Sequence, residues 1–189
     1  MILVMDNVVP SNELDSLRQD ALAQNFNDVE YDSHIFPGIG TALPFSKMEA
    51  TVSQLVGSPI EVEMSFWKMG LAGENAPTWI HADSGCSQLA AIYYLSDSPG
   101  GTAFWKHKET GWLEIPKETD NAMEVADLLH RDTHNEAAWE QTDFIKGFKN
   151  RLVIYSSKVF HSRYPQEEKA TTKEDGRLTW VCFFNVRGS

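Results

Sequence analysis

The sequence has 189 residues, 42% of them hydrophobic and 23% charged, which suits one well-buried core and an ordinary globular composition. Its net charge of −11 argues against duplex nucleic acid as a partner, because neutralising phosphates needs a basic face. No apolar run is long enough for a membrane span, and the opening MILVMDNVVP, interrupted at Asp6 and lacking a basic start, does not read as a signal peptide.

In chain order, ILVMDNVVP reads as a short strand ended by Pro10. Ser11 is a candidate N-cap for a helix over Ser11–Gln24, with Leu14, Leu17, Ala21 and Leu22 on one face. IFPGIGTALP, Ile35 to Pro44, has the Pro and Gly punctuation of a loop that crosses a surface or rims a cleft. A second helix is expected over Phe45–Val56, stopped by Gly57. From Ile60 the period changes to two: Ile60, Val62, Met64 and Phe66 alternate with Glu61, Glu63 and Ser65, as in a half-buried strand. SQLAAIYYL, a SDSPGG turn and TAFWKHK continue the strands. Residues 116–150 are acidic, read as helical around Ala122–His130, and look inserted between strands. RLVIYSS and RLTWVCFFNV supply two more strands. Helices confined to the front and one insertion, with strands joined by short turns, predict a single α+β, mainly β domain built on a barrel or sandwich.

WIHADSGC sets His81 and Asp83 at i and i+2. At a strand end that spacing points both side chains the same way, so both can reach one ion. A facial 2-His-1-carboxylate site needs a third ligand from elsewhere and leaves the opposite positions open. His161, directly after the apolar strand Leu152–Tyr155, is the best-placed histidine. Further on, Arg177 and Thr179 in GRLTWVCFF share a strand face with Val181 and Phe183. An arginine aimed into a barrel calls for an anion, and a forked guanidinium beside a hydroxyl suits a carboxylate. The cationic excess of residues 151–189, 7 Lys and Arg against 4 Asp and Glu, is consistent with an anion handled there.

This order of H-x-D, a Tyr-Leu strand, Gly-Gly-Thr, His and Arg-x-Thr resembles the Fe(II)/2-oxoglutarate-dependent oxygenases, and within them the prolyl-4-hydroxylase-like branch, from about Val62 to Val186. The resemblance implies a double-stranded β-helix (jelly-roll, cupin-like) with N-terminal support over 1–59. His81, Asp83 and His161 match the iron ligands. Arg177 and Thr179 match the pair that holds the far carboxylate of 2-oxoglutarate, and Tyr94 the tyrosine that supports it. The cofactors implied are Fe(II), 2-oxoglutarate as cosubstrate and O2. The carboxylate of Asp83 favours hydroxylation over halogenation.

Three departures from the pattern stand out. His161 and Arg177 are separated by more residues than is usual, which leaves Arg163 as an alternative anchor. Trp67 stands where relatives often carry a tyrosine, and is a candidate cleft residue. Residues 106–150 lack a counterpart in small members and are expected to form a lid.

His107, after the Gly-Gly turn, is either a cleft residue or an exposed strand end. His130 and His134 have a zinc-compatible spacing but lack the companion glutamate, and read as surface. Cys86 reads as a small buried residue. With only Cys86 and Cys182, no disulfide framework is expected, and a reduced cytoplasmic setting is. The expected function is hydroxylation of a small-molecule or peptide substrate, with succinate and CO2 as coproducts. A cupin-like metal protein without 2-oxoglutarate turnover and a non-catalytic metal- or anion-binding module are the alternatives. Oligomeric state stays open.

Overall fold

The computed structural model describes residues 2–31, 34–41, 46–83, 85–116 and 122–188. Among the described residues, ten strands form two antiparallel sheets. The larger joins β1 (Ile2–Asp6), β8 (Arg151–Ser156), β5 (Leu89–Tyr94), β10 (Arg177–Val186), β4 (Ile60–Gly70), β3 (His34–Thr41) and β2 (Asn27–Tyr31), in that spatial order. The smaller places β6 (Gly101–His107) between β7 (Trp139–Lys146) and β9 (His161–Tyr164). The α+β, mainly β expectation therefore holds.

Strand alternation sorts the core into layers. On β10, Leu178, Trp180, Cys182 and Phe184 face outward and pack, with Ala91, Tyr93, Leu152 and Ile154, against α1 (Ser11–Leu22) and α2 (Ser46–Val56). Leu14 and Ala21 of α1 and Met48 and Val52 of α2 are buried in that layer. The opposite phase, Ala90, Ile92, Tyr94, Val153, Tyr155 and Phe183, turns inward and meets Phe104 of the small sheet. A third cluster, with Trp79, Trp105, Trp139 and Phe160 in it, lies on the far side of the small sheet beside α3 (Ala122–Asp132). Strands buried on both faces explain the continuous apolar runs around LAAIYY and RLVIY.

Several local expectations are corrected. Ser11 is the first helical residue rather than the cap; Pro10 occupies the cap position without a side-chain bond, and the helix stops at Leu22. Ile35–Thr41 is strand, not loop: β2 and β3 form a hairpin whose Val29 pairs with Phe36, and β3 continues the sheet through Ile39 opposite Lys68. The hairpin was hidden by its Pro and Gly. Gly38, at φ +64, sits so close to Met69 that a Cβ would lie 2.2 Å from its carbonyl oxygen, so only glycine fits. Phe45, expected to open the second helix, lies outside the described residues, as do 42–44 of the expected loop. On β4 a register shift between its partners Phe183 and Phe184 breaks the alternation at Glu63. Ile60 and Val62 pack toward the helices, while Met64 and Phe66 face inward.

Asn150 ties the front of the chain to the core. Its Oδ1 accepts from the Val9 backbone N–H (3.1 Å) and the Tyr93 hydroxyl (2.8 Å), and its Nδ2 donates to the Val9 carbonyl (2.7 Å). Asparagine suits the left-handed backbone there, φ 70. No described helix is long and apolar enough to cross a membrane.

Candidate metal centre

Between the two sheets lies a cavity of about 400 Å³. His81, Asp83 and His161 meet in its wall. His81 and His161 form an isolated antiparallel bridge: each backbone N–H donates to the other's carbonyl, at 3.0 and 2.8 Å. The Asp83 N–H donates to Ser157 O (2.7 Å), so the H-x-D segment runs as a fragment of strand along the end of β8 and the start of β9. Upstream, the Trp79 and Ile80 backbone N–H groups are held by the Thr133 hydroxyl and carbonyl, beyond α3. The Trp79 indole donates to Arg163 O at 2.7 Å.

This pinning fixes the side chains. One Asp83 oxygen lies 3.4 Å from His81 Nε2 and the other 3.1 Å from His161 Nε2. The three donor atoms fall within 4.8 Å of one another, close enough to hold one metal ion. His81 Nδ1 lies 2.8 Å from the Trp79 carbonyl oxygen, and His161 Nδ1 3.0 Å from that of Val159. A carbonyl only accepts, so each Nδ1 carries a proton and each Nε2 is the atom turned toward Asp83, where its lone pair can serve a metal once any proton shared with the carboxylate has left. That is the outer-shell arrangement a metal-ligating histidine requires. Burial would raise the Asp83 pKa, but the two histidines overcome it and hold the carboxyl well below its ordinary range. Burial likewise disfavours the charged His81 ring, yet the Asp83 charge and hydrogen bond and the Trp79 carbonyl raise its pKa on balance. Tyr155 packs its ring 4.7 Å from that of His161, and burial, aided by Asp83, keeps its phenol protonated.

A charged cluster lines another part of the cavity. Arg177, the first residue of β10, is 8% exposed and donates through Nη2 to the Tyr94 hydroxyl (3.3 Å), with its guanidinium carbon 5.1 Å from the Tyr94 ring centre. The Tyr94 hydroxyl also meets the Thr102 hydroxyl at 2.8 Å. Arg177 Nε is buried with no hydrogen-bond partner, and Glu168 stands 4.0 Å away. An orphaned buried guanidinium N–H is rare and is the mark of a missing acceptor. Arg163, the alternative anchor, is already engaged: it donates to Glu74 at 2.7 Å and to the Gln166 carbonyl. Glu74 reaches Lys68 with its other oxygen at 2.9 Å. Burial lowers the Lys68 pKa, Glu74 opposes this, and Arg163 and Arg177 add to it.

The structure thus brings His81, Asp83, His161, Arg163 and Arg177 to one cavity, with Tyr94 against Arg177. Thr179 is buried on the face it shares with Tyr94 and bonds the Lys68 carbonyl at 3.5 Å, but does not itself line the cavity.

Two expected cleft residues lie elsewhere. Trp67 points the other way, into the layer beneath the helices, because cavity-facing positions on β4 are Phe66, Lys68 and Gly70. His107 is fully buried outside the cavity, between Asp132 (3.0 Å) and Thr110 (3.1 Å) and edge-on to Trp139, so it docks α3 onto the small sheet. No described residue of 106–150 lines the cavity, so the expected lid is not seen; β7 of that segment is instead an edge strand of the small sheet. The rim comes from β2, β3 and residues 74–79.

Lys68, Glu74 and Thr102 went unread in the sequence. Lys68 had a signal: it continues the inward phase of Met64 and Phe66, and a lysine in phase with apolar residues asks for a partner.

A model of DUF6445, described as a family of unknown function, matches residues 78–184, more than half of the sequence. The chain belongs to this family. No curated protein matches the DUF6445 chain. Among solved structures it is similar to SnoK, a non-heme alpha-ketoglutarate-dependent carbocyclase from nogalamycin biosynthesis, at 15% identity and a TM-score of 0.60, over 97% of this chain and 78% of that one. HygX from Streptomyces hygroscopicus, with nickel and 2-oxoglutarate bound, aligns at 14% identity and a TM-score of 0.59, over 99% and 83% of the two chains. AviO1 from Streptomyces viridochromogenes Tue57 aligns at 12% identity and a TM-score of 0.60, over 100% and 90%. At these identities the DUF6445 chain shares their fold, and fold alone does not carry a reaction.

Proposed function

We propose that this protein is an Fe(II)- and 2-oxoglutarate-dependent dioxygenase that hydroxylates an organic substrate, releasing succinate and CO2. One observation carries the reading. The clustered donor atoms of His81, Asp83 and His161, with both Nε2 atoms turned inward, share their cavity with a buried arginine whose Nε lacks a hydrogen-bond acceptor. The fold, common to SnoK and HygX, supports it, and is read as a double-stranded β-helix. The motif order supports the prolyl-4-hydroxylase-like branch.

The donor set fits the groups it would hold. Two neutral imidazoles and a carboxylate suit non-haem Fe(II) and leave open positions for a chelating ligand and O2. Charge supports the cosubstrate. Lys68, Arg163 and Arg177 stand against Glu74 and Glu168, three cations to two carboxylates, so the cluster is short of one monoanion. Asp83 similarly leaves a divalent ion with one positive charge, which a second carboxylate cancels. A dicarboxylate with a keto group next to one end satisfies both.

Bound Fe(II), 2-oxoglutarate and O2 supply the oxidising chemistry that inserts oxygen into a C–H bond. The chain does the rest. Trp79 O and Val159 O hold the Nδ1 protons and keep both rings oriented. Asp83 remains anionic at any ordinary pH. Arg177, steadied by Tyr94, binds and orients the far carboxylate.

Anaerobic titration of the protein with Fe(II) and then 2-oxoglutarate tests the reading through the visible charge-transfer band of the chelate. A band that is absent in His81→Ala and weak in Arg177→Gln is expected. Iron binding with no band in the unmodified protein would move a cupin-like metal protein ahead.

A further inference from the structure

The cavity is sharply one-sided. Charged and metal-binding groups come from His81, Asp83, His161 and the Lys68–Arg177 cluster, and uncharged polar ones from Asn75, Thr78, Thr102, Ser162 and Gln166. The wall built by β2, β3 and the first inward positions of β4 holds Val29, Phe36, Pro37, Ile39, Met64 and Phe66, all apolar, and Lys68, next in phase on β4, ends it at the charged cluster. It is continuous with the apolar interior, since Phe66 lies 6.3 Å, ring to ring, from Phe183 and belongs to the same cluster as Ile92 and Val181. It also stays open to water: Val29 is 41% and Met64 40% exposed, and Phe36, Ile39 and Phe66 are only partly buried. Apolar side chains gathered on a concave surface and left wet mark a ligand-binding face.

We infer that the substrate is a small, uncharged molecule with an apolar skeleton, which lies against the Val29–Phe36–Phe66 wall and presents a C–H bond to the His81–Asp83–His161 centre. The inference rests on the oxygenase reading, and charge and size commit it to this occupant. Once 2-oxoglutarate balances the cationic cluster and the metal, no net charge remains for a substrate ion. A hydroxyl-rich or zwitterionic substrate set against this wall would lose hydration without gaining hydrogen bonds. A cavity of about 400 Å³, shared with the cosubstrate, admits a small skeleton rather than a folded partner.

The test uses N-phenyl-1-naphthylamine, a neutral apolar fluorophore, titrated into the metal-free full chain. Saturable, one-to-one enhancement of its emission is expected, weakened about tenfold or more by Val29→Asn and by Phe36→Asn, the scale of a lost apolar contact in a pocket. Ile35→Asn is the control: Ile35 is 58% exposed but pairs with Glu30, one step out of phase with the wall, and does not line the cavity. It should leave binding unchanged. Octanol should displace the fluorophore, while glucosamine and lysine should not.

Absence of saturable binding, indifference to Val29→Asn, or displacement by the polar compounds overturns the inference. Val29 is exposed enough for its variant to fold even where Phe36→Asn does not. The charge-transfer band, read on the same protein, separates the two claims. A band without fluorophore binding overturns the apolar substrate and leaves the oxygenase. Binding without a band overturns the oxygenase and the substrate role with it, leaving an apolar ligand site.

Discussion

His81 and His161 are backbone partners before they are partners in the proposed metal centre: each donates its N–H to the other's carbonyl, and their rings stand 4.6 Å apart, centre to centre. Ligand spacing is therefore a property of strand pairing and exists before any ion arrives. His81→Ala and His161→Ala should each keep the far-ultraviolet circular dichroism of the parent. Calorimetric titration with Fe(II) or Co(II) should show a loss of affinity beyond the ~10–100-fold typical of removing an outer-shell partner. A variant that binds metal as well as the parent would remove that histidine from the centre.

The two arginines are expected to separate. Arg177→Gln removes the guanidinium whose Nε lacks an acceptor, and should weaken 2-oxoglutarate binding by tenfold or more, given about 1.5–3 kcal/mol for hydrogen bonds to a charged group. Arg163→Gln instead leaves Glu74 with Lys68 alone. It should lower the melting temperature with a smaller effect on cosubstrate affinity. The reverse ranking would make Arg163 the anchor.

Metal binding should depend on pH through His81. Its pKa is raised above 6.5, and a metal must displace that proton. Apparent affinity should thus climb with pH past the point where an ordinary imidazole would already have levelled off, with proton release measurable in buffers of different ionisation enthalpy. The same ion pair affects stability of the metal-free fold with a definite sign. The raised His81 value gives stability that is full below 6.5 and lost as pH rises through the folded value. The lowered Asp83 value gives stability that is full above 3.8 and lost as pH falls below it. The pair contributes most between 3.8 and 6.5, and Asp83→Asn should flatten that part of the stability profile.

Asn150→Ala should cost about 2 kcal/mol or more in denaturant unfolding. It strands the Val9 N–H and the Tyr93 hydroxyl in the interior, at roughly 1–3 kcal/mol for each buried group left unpaired. It also places a Cβ-bearing residue without a local hydrogen bond at φ 70. A loss of less than 0.5 kcal/mol, the usual size of a surface change, would show the clamp to be idle.

Gly38→Ala should disturb the cavity from a distance. The new methyl would meet Met69 O at 2.2 Å, Glu74 at 2.9 Å and Lys68 Nζ at 3.1 Å, so β3 must move or the Lys68–Glu74 pair must part. Reduced thermal stability together with weaker fluorophore binding is the expected pair of results; an unchanged melting temperature would contradict the contact.

What could be read from the sequence was whatever rests on local spacing. His81 and Asp83 were legible because i and i+2 in extended chain share a side, and His161 because an apolar strand leads straight to it. The strands of the large sheet from Ile60 onward announced themselves by period or apolar run. The β2–β3 hairpin did not, since Pro37 and Gly38 serve there as strand residues forced by a close approach to β4. Trp67 and Lys68 were exchanged because the resemblance fixes position only to within a residue, and a one-residue slip turns a side chain to the other face. Glu74 and Thr102 carry no pattern of their own; their place beside the arginines comes from tertiary packing. His107 is neither the cleft residue nor the exposed strand end the sequence suggests, because its partner, Asp132, lies on a helix that only the fold brings to it.

The cavity is put together from two stretches of chain. The metal cluster, Thr102, Arg163 and Arg177 all fall within residues 78–184, the part that matches the family model. The apolar wall, Val29 to Phe66, lies wholly before it. On the proposed reading, the reaction and the choice of what undergoes it are written in separate paragraphs of the same gene product. Rewriting the hairpin would give such an enzyme a new clientele without a single change at the iron.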